Sequence, residues 1–298
     1  MLPPLVIHGA LQMTTLELYH SVLGRLSEAG IPEPEAEAIL LLCHLLGCRR
    51  SDIFLHGARP VATVVLEEVG RALDRRLSRE PLAYILGEQE FYGRLFVVTP
   101  DVLIPRPETE LLVEKAAAVL LAHQAARPLR VLDLGVGSGV IAITLAKELP
   151  SALVVGVDLS LAALRVAKRN ATRHGVRVQW VNSDWGTALH VGSGFDLVAA
   201  NPPYVARSVH KGLQPELAAE PAMALFSGED GRQDIQRILG DVCRLLCPGG
   251  TLLMEIGYDQ EEYVLAEVKA HALFEQCAVH RDYAGLPRIL EARRKEIS

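Results

Sequence analysis

From Arg130 onward the chain alternates between two patterns, and that alternation leaves few folds open to it. Apolar, β-branched runs of strand length (RVLDLG, ALVVGVD, VRVQWVNSD, FDLVAANPP, GGTLLMEIG) are separated by stretches with helical spacing, among them GVIAITLAKELP and LAALRVAKRNATRH. A helix between successive strands brings the chain back for parallel pairing, and helices on both faces bury the strands. The pattern predicts an α/β domain built on a doubly wound, Rossmann-like sheet. Ser160 is placed to cap the second helix and Gly175 to stop it. The tail, FEQCAVHRDYAGLPRILEARR, predicts two more strands joined by a turn at Gly285 to Pro287.

The front of the chain reads differently. Leu16, Tyr19, Leu23 and Leu26 recur at helical spacing before Gly30; Ala36, Leu40, Cys43 and Leu46 do so before Gly47. Ser51 is read as the cap of a short helix, and Leu66, Val69, Leu73 and Leu77 mark a longer one. Residues 1–80 are expected to form a small helical bundle without a chemical motif of its own. EFYG followed by RLFVV predicts a β-hairpin. Pro100, Pro105 and Pro107 then interrupt regular structure, so 81–107 reads as a hairpin connector and 108–298 as the α/β domain.

With 298 residues, half of them hydrophobic, the chain can bury a sizeable core. A net charge of −6 argues against a protein held on nucleic acid by a basic field. The basic run Arg293, Arg294, Lys295 reads as solvated surface. The five cysteines contain no CxxC pair, so neither a disulfide framework nor a zinc site is expected. Cys243 and Cys247 read as small hydrophobes on one helix face. The opening MLPPLVIHGALQM lacks the basic start and apolar core of a leader, and AILLLCHLLGC is too short to span a bilayer. A cytoplasmic monomer without a metal is the expectation.

The chemistry begins at VLDLGVGSGVIAI, which passes from strand to helix through Gly135, Gly137 and Gly139. Glycines there permit a tight turn and close approach of a ligand, in the first strand-to-helix loop where open α/β sheets bind. The spacing is GxGxG, with Asp133 before it. It is neither the dinucleotide fingerprint nor a P-loop, which would carry a lysine. Asp158 ends the next strand, where a carboxylate can accept from both hydroxyls of a ribose. Asp184 and Trp185 follow the third strand, where an acid and an aromatic can flank an adenine. Each residue alone has an ordinary structural explanation. Together, on successive strand ends, they point to S-adenosylmethionine, an adenosine without a pyrophosphate.

A second feature sits at the end of the fourth strand, where FDLVAA stops at Asn201-Pro202-Pro203-Tyr204. Prolines donate no backbone hydrogen bond, so carbonyls and the Asn201 side chain leave acceptors dominant. Such a place suits a planar –NH2 group: two acceptors take its hydrogens and aim its lone pair. Tyr204 is read as stacking on that group and favouring the passing positive charge.

These blocks resemble class I methyltransferases that modify planar nitrogens. The chain as a whole resembles the HemK/PrmC family of protein-glutamine methyltransferases that act on class I peptide-chain release factors. PLAYILGEQEFYG, IPRPETE, DLGVGSG, NSDW, NPPY and EPAMALFSGEDG carry the resemblance in order, over nearly the full length. It implies that Gly135, Val136, Gly137, Ser138 and Gly139, with Asp158, Trp185 and Asn201, bind S-adenosylmethionine, leaving S-adenosylhomocysteine as product. It implies that Asn201 to Tyr204 hold the substrate glutamine, the one in the release factor's GGQ motif, and that Leu103 helps wall its pocket. The N-terminal bundle would dock the release factor. Val136 stands where threonine is common in the family, which removes one hydroxyl. The sister family acting on a ribosomal-protein glutamine resembles PRSPIAE where this chain has IPRPETE. An adenine-N6 nucleic-acid methyltransferase shares the NPPY chemistry, but no base-reading domain is present to name. A non-catalytic cofactor-bound protein is the third reading, against which the intact NPPY stands.

Overall fold

The computed structural model describes residues 13–122, 127–190 and 194–296, the side chains of 210 and 211 excepted. Residues 1–12 of the opening stretch lie outside the described residues. The chain divides into two compact units, 1–87 and 88–298.

The first unit is helical: α1 (Thr15–Glu28), α2 (Pro34–Leu46), α3 (Arg50–Leu55), α4 (Thr63–Leu77) and α5 (Leu82–Leu86). Thr14 and Glu17 cap α1 reciprocally, each accepting from the other's backbone N–H. Leu18, Val22, Leu41, Leu42, Ile53 and Leu73 form the centre of its core. The Arg76 guanidinium is buried and grips Glu37 through two bonds of 2.6 and 3.1 Å, tying α4 to α2. Two local expectations fail. The buried face of α2 is Ala38, Ile39, Leu41 and Leu42, whereas Leu40 is 55% exposed. With four consecutive apolar residues the helix offers competing stripes, and spacing alone does not choose between them. Ser51 lies inside α3; the helix start is held by the Asp52 carboxylate, which accepts from the Arg49 N–H at 2.9 Å.

The second unit opens with the hairpin β1 (Glu88–Phe91) and β2 (Arg94–Val97). Its turn residues, Tyr92 and Gly93, both have positive φ, the twist that suits a two-residue hairpin. The sequence predicts a single connector over 81–107. In the structure α5 packs Leu82, Ile85 and Leu86 on the first core, and the hairpin buries Phe91 and Phe96 in the second. The segment divides because its apolar residues serve two different cores.

Next come α6 (Glu108–Ala122), β3 (Arg130–Leu134), α7 (Val140–Glu148), β4 (Leu153–Asp158), α8 (Leu161–His174), β5 (Gln179–Asn182) and β6 (Phe195–Ala200). After two 3-10 turns, Arg207–Gly212 and Pro215–Ala219, follow α9 (Ala222–Leu225), α10 (Gln233–Leu245), β7 (Leu246–Glu255), α11 (Glu261–Ala270), β8 (Phe274–Arg281) and β9 (Pro287–Arg294). The seven-stranded sheet has the order β5-β4-β3-β6-β7-β9-β8. Its first five strands pair in parallel, and β9 and β8 add antiparallel. This is the expected mixed α/β, doubly wound architecture. Cys243 ends up in α10 and Cys247 in β7, so they share no helix face; α10 stops at Leu245, where Leu246 turns extended.

Alternate residues of the central strands feed two cores. Val131, Leu197, Ala199 and Leu253 face α6 and α7, while Leu132, Val198, Leu252 and Met254 face α10 and α11. Asn170 in α8 is fully buried and closes a polar seam beside the first of these cores. It accepts from the Val97 N–H at 2.7 Å and donates to the carbonyls of Val97 and Ser138 at 2.9 and 2.8 Å. Replacing Asn170 with Ala leaves those backbone groups unpaired and should cost about 2–4 kcal/mol. Urea unfolding followed by tryptophan fluorescence checks this, since both tryptophans, Trp180 and Trp185, belong to the second unit.

Candidate functional site

The strand order reverses between β3 and β6, which run side by side with Leu134 opposite Ala200. Their carboxyl ends therefore release Gly135 and Asn201 at the same level, at the switch point where such sheets open a crevice. A cavity of about 560 Å³ lies there, within the range of small-molecule sites.

The floor is the glycine loop. Gly135, Gly137 and Gly139 have φ of 79°, 54° and 89°, a region costly for any residue with a Cβ. At Gly135 a Cβ would also meet the Trp185 ring at 3.1 Å, with the Asn201 carbonyl at 4.0 Å. The missing side chain thus keeps a slot open between two loops. The Val157 carbonyl accepts from the N–H groups of Gly135 and Val136. Asp158 accepts from the Gly137 N–H at 2.9 Å and, through its other oxygen, from the Ser160 N–H at 2.8 Å. Burial raises its pKa, and these two N–H groups oppose the rise. Each carboxylate oxygen keeps a further lone pair, so Asp158 can still accept at the cavity wall.

Asp133 lies beneath the loop, fully buried. One oxygen accepts from the Ala142 N–H at 3.0 Å; the other has no hydrogen-bond partner among the described residues. Burial pushes its pKa up to about 7.

On the far wall, Asp184 forms an ion pair of 2.5 Å with Arg237 of α10, and the Trp185 indole N–H donates to Asp234 at 3.0 Å. Val136, Ser138, Leu103, Asn201 and Pro203 also line the cavity. Pro202 and Tyr204 are not among its lining residues. The Tyr204 hydroxyl is drawn the other way, donating to the buried carboxylate of Glu255 at 3.2 Å. Burial, reinforced by Glu255, raises the phenol above its ordinary range.

The sequence marks Thr109 only as part of the IPRPETE block, and it does not mark Glu255, Glu220 or Arg237 as site residues. The Asn201 amide donates to Thr109 Oγ1 at 3.0 Å, and the Thr109 hydroxyl donates to Glu255 at 2.7 Å. Glu220 holds the 101–106 segment: it accepts from the Ile104 N–H at 3.0 Å and pairs with Arg106. A sequence signal existed for Glu255, an acid ending an apolar strand as Asp158 does. An acid beside a proline, or an arginine on a polar helix face, gives no such sign of distance.

Residues 17–87 match the PrmC N-terminal domain family and residues 110–230 the methyltransferase small domain family. A release factor glutamine methyltransferase of Bordetella pertussis is 44% identical over 266 residues, covering 89% of this chain and 96% of that protein. The chain belongs to the release factor glutamine methyltransferase family. Another member, from Koribacter versatilis, is 41% identical and covers 95% of this chain and 99% of its own. Among solved structures, the hMettl16 catalytic domain superposes with a TM-score of 0.55 at 15% identity, covering 76% of this chain and 82% of that one. A methyltransferase from Pyrococcus furiosus gives 0.50 at 16%, with 76% and 99% covered. These two carry the fold alone. The family's cofactor is S-adenosylmethionine, and the slot at Gly135 with acids on two strand ends fits it.

Asp133 carries a pH signature. Its folded pKa stands above the value of about 4 expected for an unfolded chain, so the native state binds the extra proton. Stability should therefore fall as pH rises from about 4 through about 7, and stay lowered above that. The Asp133→Asn variant should lose this slope and gain on the wild type by at least about 1 kcal/mol at pH 8, read from urea midpoints across pH. A slope identical in both proteins would contradict it.

Proposed function

We propose that the protein transfers a methyl group from S-adenosylmethionine to the side-chain amide nitrogen of the glutamine in the GGQ motif of class I release factors. The observation that carries this reading is the level exit of Gly135 and Asn201 from β3 and β6, in a chain of this family. When bound, the cofactor supplies an electrophilic sulfonium methyl and leaves as S-adenosylhomocysteine.

The residues divide the work. The 135–139 loop, with Val136 and Ser138 between its glycines, would pass the amino-acid tail, and Asp133 holds the first turn of α7, which follows that loop, through the Ala142 N–H. Asp158 would accept from the ribose, while Asp184 and Trp185 would flank the adenine. Asn201 Oδ1 and a backbone carbonyl of the Asn201–Pro202 segment would take the two amide hydrogens, and Pro203 and Leu103 would confine the side chain. An amide nitrogen is a poor nucleophile because its lone pair is delocalised. Two fixed acceptors favour a pyramidal nitrogen and aim it, so rate comes from positioning and charge stabilisation. The nitrogen loses its proton after the N–C bond forms, when it is strongly acidic. Tyr204, anchored on Glu255, is assigned to holding this segment rather than to stacking on the substrate.

We take the protein as a cytoplasmic monomer without stable nucleic-acid binding. Among the described residues no helix is long and apolar enough to cross a membrane. The first unit is proposed to dock the body of the release factor. Removing residues 1–87 should raise KM for whole release factor at least tenfold while leaving KM for a short GGQ peptide within about threefold. Equal effects on both substrates would make the unit a folding aid.

The decisive assay uses labelled S-adenosylmethionine with a class I release factor and a copy whose GGQ glutamine is replaced. Label should enter only the intact factor, at that glutamine by mass spectrometry. Label on a ribosomal protein or nucleic acid instead would keep the chemistry and overturn the substrate.

A further inference from the structure

Four side chains from three parts of the chain meet at the edge of the site. Thr109 stands in the first turn of α6, Glu255 ends β7, and Asn201 and Tyr204 bracket the segment after β6. Thr109 and Glu255 are 2% and 1% exposed, so water does not compete for their hydrogen bonds. One oxygen of Glu255 takes the Thr109 hydroxyl and the other the Tyr204 hydroxyl. A single carboxylate thus secures both ends of a four-residue motif. Burial raises the Glu255 pKa, and the Thr109 hydroxyl, Arg288 of β9 and the Tyr204 hydroxyl oppose the rise.

The direction of these bonds matters. A hydroxyl has one hydrogen. Thr109 gives it to Glu255, so toward Asn201 its oxygen can only accept. The Asn201 side chain must then present its –NH2 to Thr109 and its carbonyl oxygen away from it. Were the amide reversed, two acceptors would face each other in a buried place, at a cost of about 1–3 kcal/mol. Asn201 is a cavity-lining residue, so the end turned away from Thr109 is the acceptor a substrate amide needs.

We infer that Thr109, oriented by Glu255, is a positioning residue that fixes which end of the Asn201 amide faces the substrate. This rests on the reading of Asn201 as an acceptor for the glutamine –NH2. It adds that the acceptor's polarity is written by a hydroxyl at the cavity wall and a carboxylate buried behind it.

Thr109→Val keeps the shape and removes the hydroxyl; Thr109→Ser keeps the hydroxyl and removes the methyl. With the full-length enzyme and whole release factor, Thr109→Val should lower kcat at least tenfold, while Thr109→Ser stays within threefold of wild type. Both should bind S-adenosylhomocysteine by calorimetry within threefold of wild type, because the groups assigned to its tail, ribose and adenine (the 135–139 loop, Asp158, Asp184 and Trp185) are left intact. Thr109→Ala takes the place of Thr109→Val if that variant does not fold. A smaller loss in the variant without the hydroxyl overturns the inference. So does an equal loss in Thr109→Ser, which would make the methyl's packing the cause, or cofactor binding that weakens in step with kcat. Asn201→Ala is measured alongside. If it retains activity, the reading of Asn201 itself is wrong; if it is inactive while Thr109→Val is unimpaired, only the relay is wrong.

Discussion

The pairing of β3 with β6 is the contact on which the site depends. Leu134 and Ala200 are the last paired residues of two parallel strands, and the glycine loop and the 201–204 segment both begin at the peptide bonds that follow them. Shifting that register by one residue would exchange the faces of Leu132 and Val198, which pack on α10, with those of Val131 and Leu197, which pack on α7. The two cores therefore lock the register, and the register places a glycine loop beside an acceptor-rich turn. Precision at the site is inherited from apolar packing on both faces of the sheet.

The same edge concentrates buried acids. Asp133, Glu220 and Glu255 are buried and Asp158 nearly so, each close to the carboxyl ends of the strands or the loops that cover them. Burying a carboxylate is costly unless it is paired or hydrogen-bonded. Glu220 is paired with Arg106, and Asp158 takes two backbone N–H groups. Glu255 takes two hydroxyls, whereas Asp133 keeps one oxygen without a partner among the described residues. Three of these acids hold loops: Glu220 the 101–106 segment, Asp158 the glycine loop, Glu255 the segment from Asn201 to Tyr204. The loops cross the open edge of the sheet, where no ladder hydrogen bonds continue, so fixed side-chain acceptors take over the task the strands perform elsewhere.

What the sequence made legible follows from how local each signal is. The alternating strands, the hairpin at Tyr92-Gly93, the Ser160 cap and the Gly175 stop are written in neighbouring residues, and the structure has them. The face of α2 was not legible, because Ile39 to Leu42 satisfy several stripes at once. The division of 81–107 between two cores was not legible either, since it depends on where Phe91 and Leu82 find partners. Among candidate site residues, Gly135, Asp158, Asp184, Trp185, Asn201, Pro203 and Leu103 all line one cavity. The NPPY motif suggests that the Tyr204 ring stacks on the substrate. The structure turns its hydroxyl onto Glu255, 51 positions away, and no local pattern encodes an attraction over that separation.

Asn201 itself illustrates why an amide, and not an acid, belongs at the end of β6. An aspartate has the same shape but no donor. The Thr109 oxygen, its hydrogen committed to Glu255, would then face a second carboxylate instead of an –NH2. Two negative groups joined through one hydroxyl in a buried place disfavour each other's charge, and one of them would take up a proton. A protonated acid at 201 could point its hydrogen at Thr109 and recover the present pattern, but only at a pH low enough to keep it neutral. The asparagine has that donor at every pH. It gives one end to the scaffold and one to the cavity, and it carries no charge that would bind reactant and transition state alike.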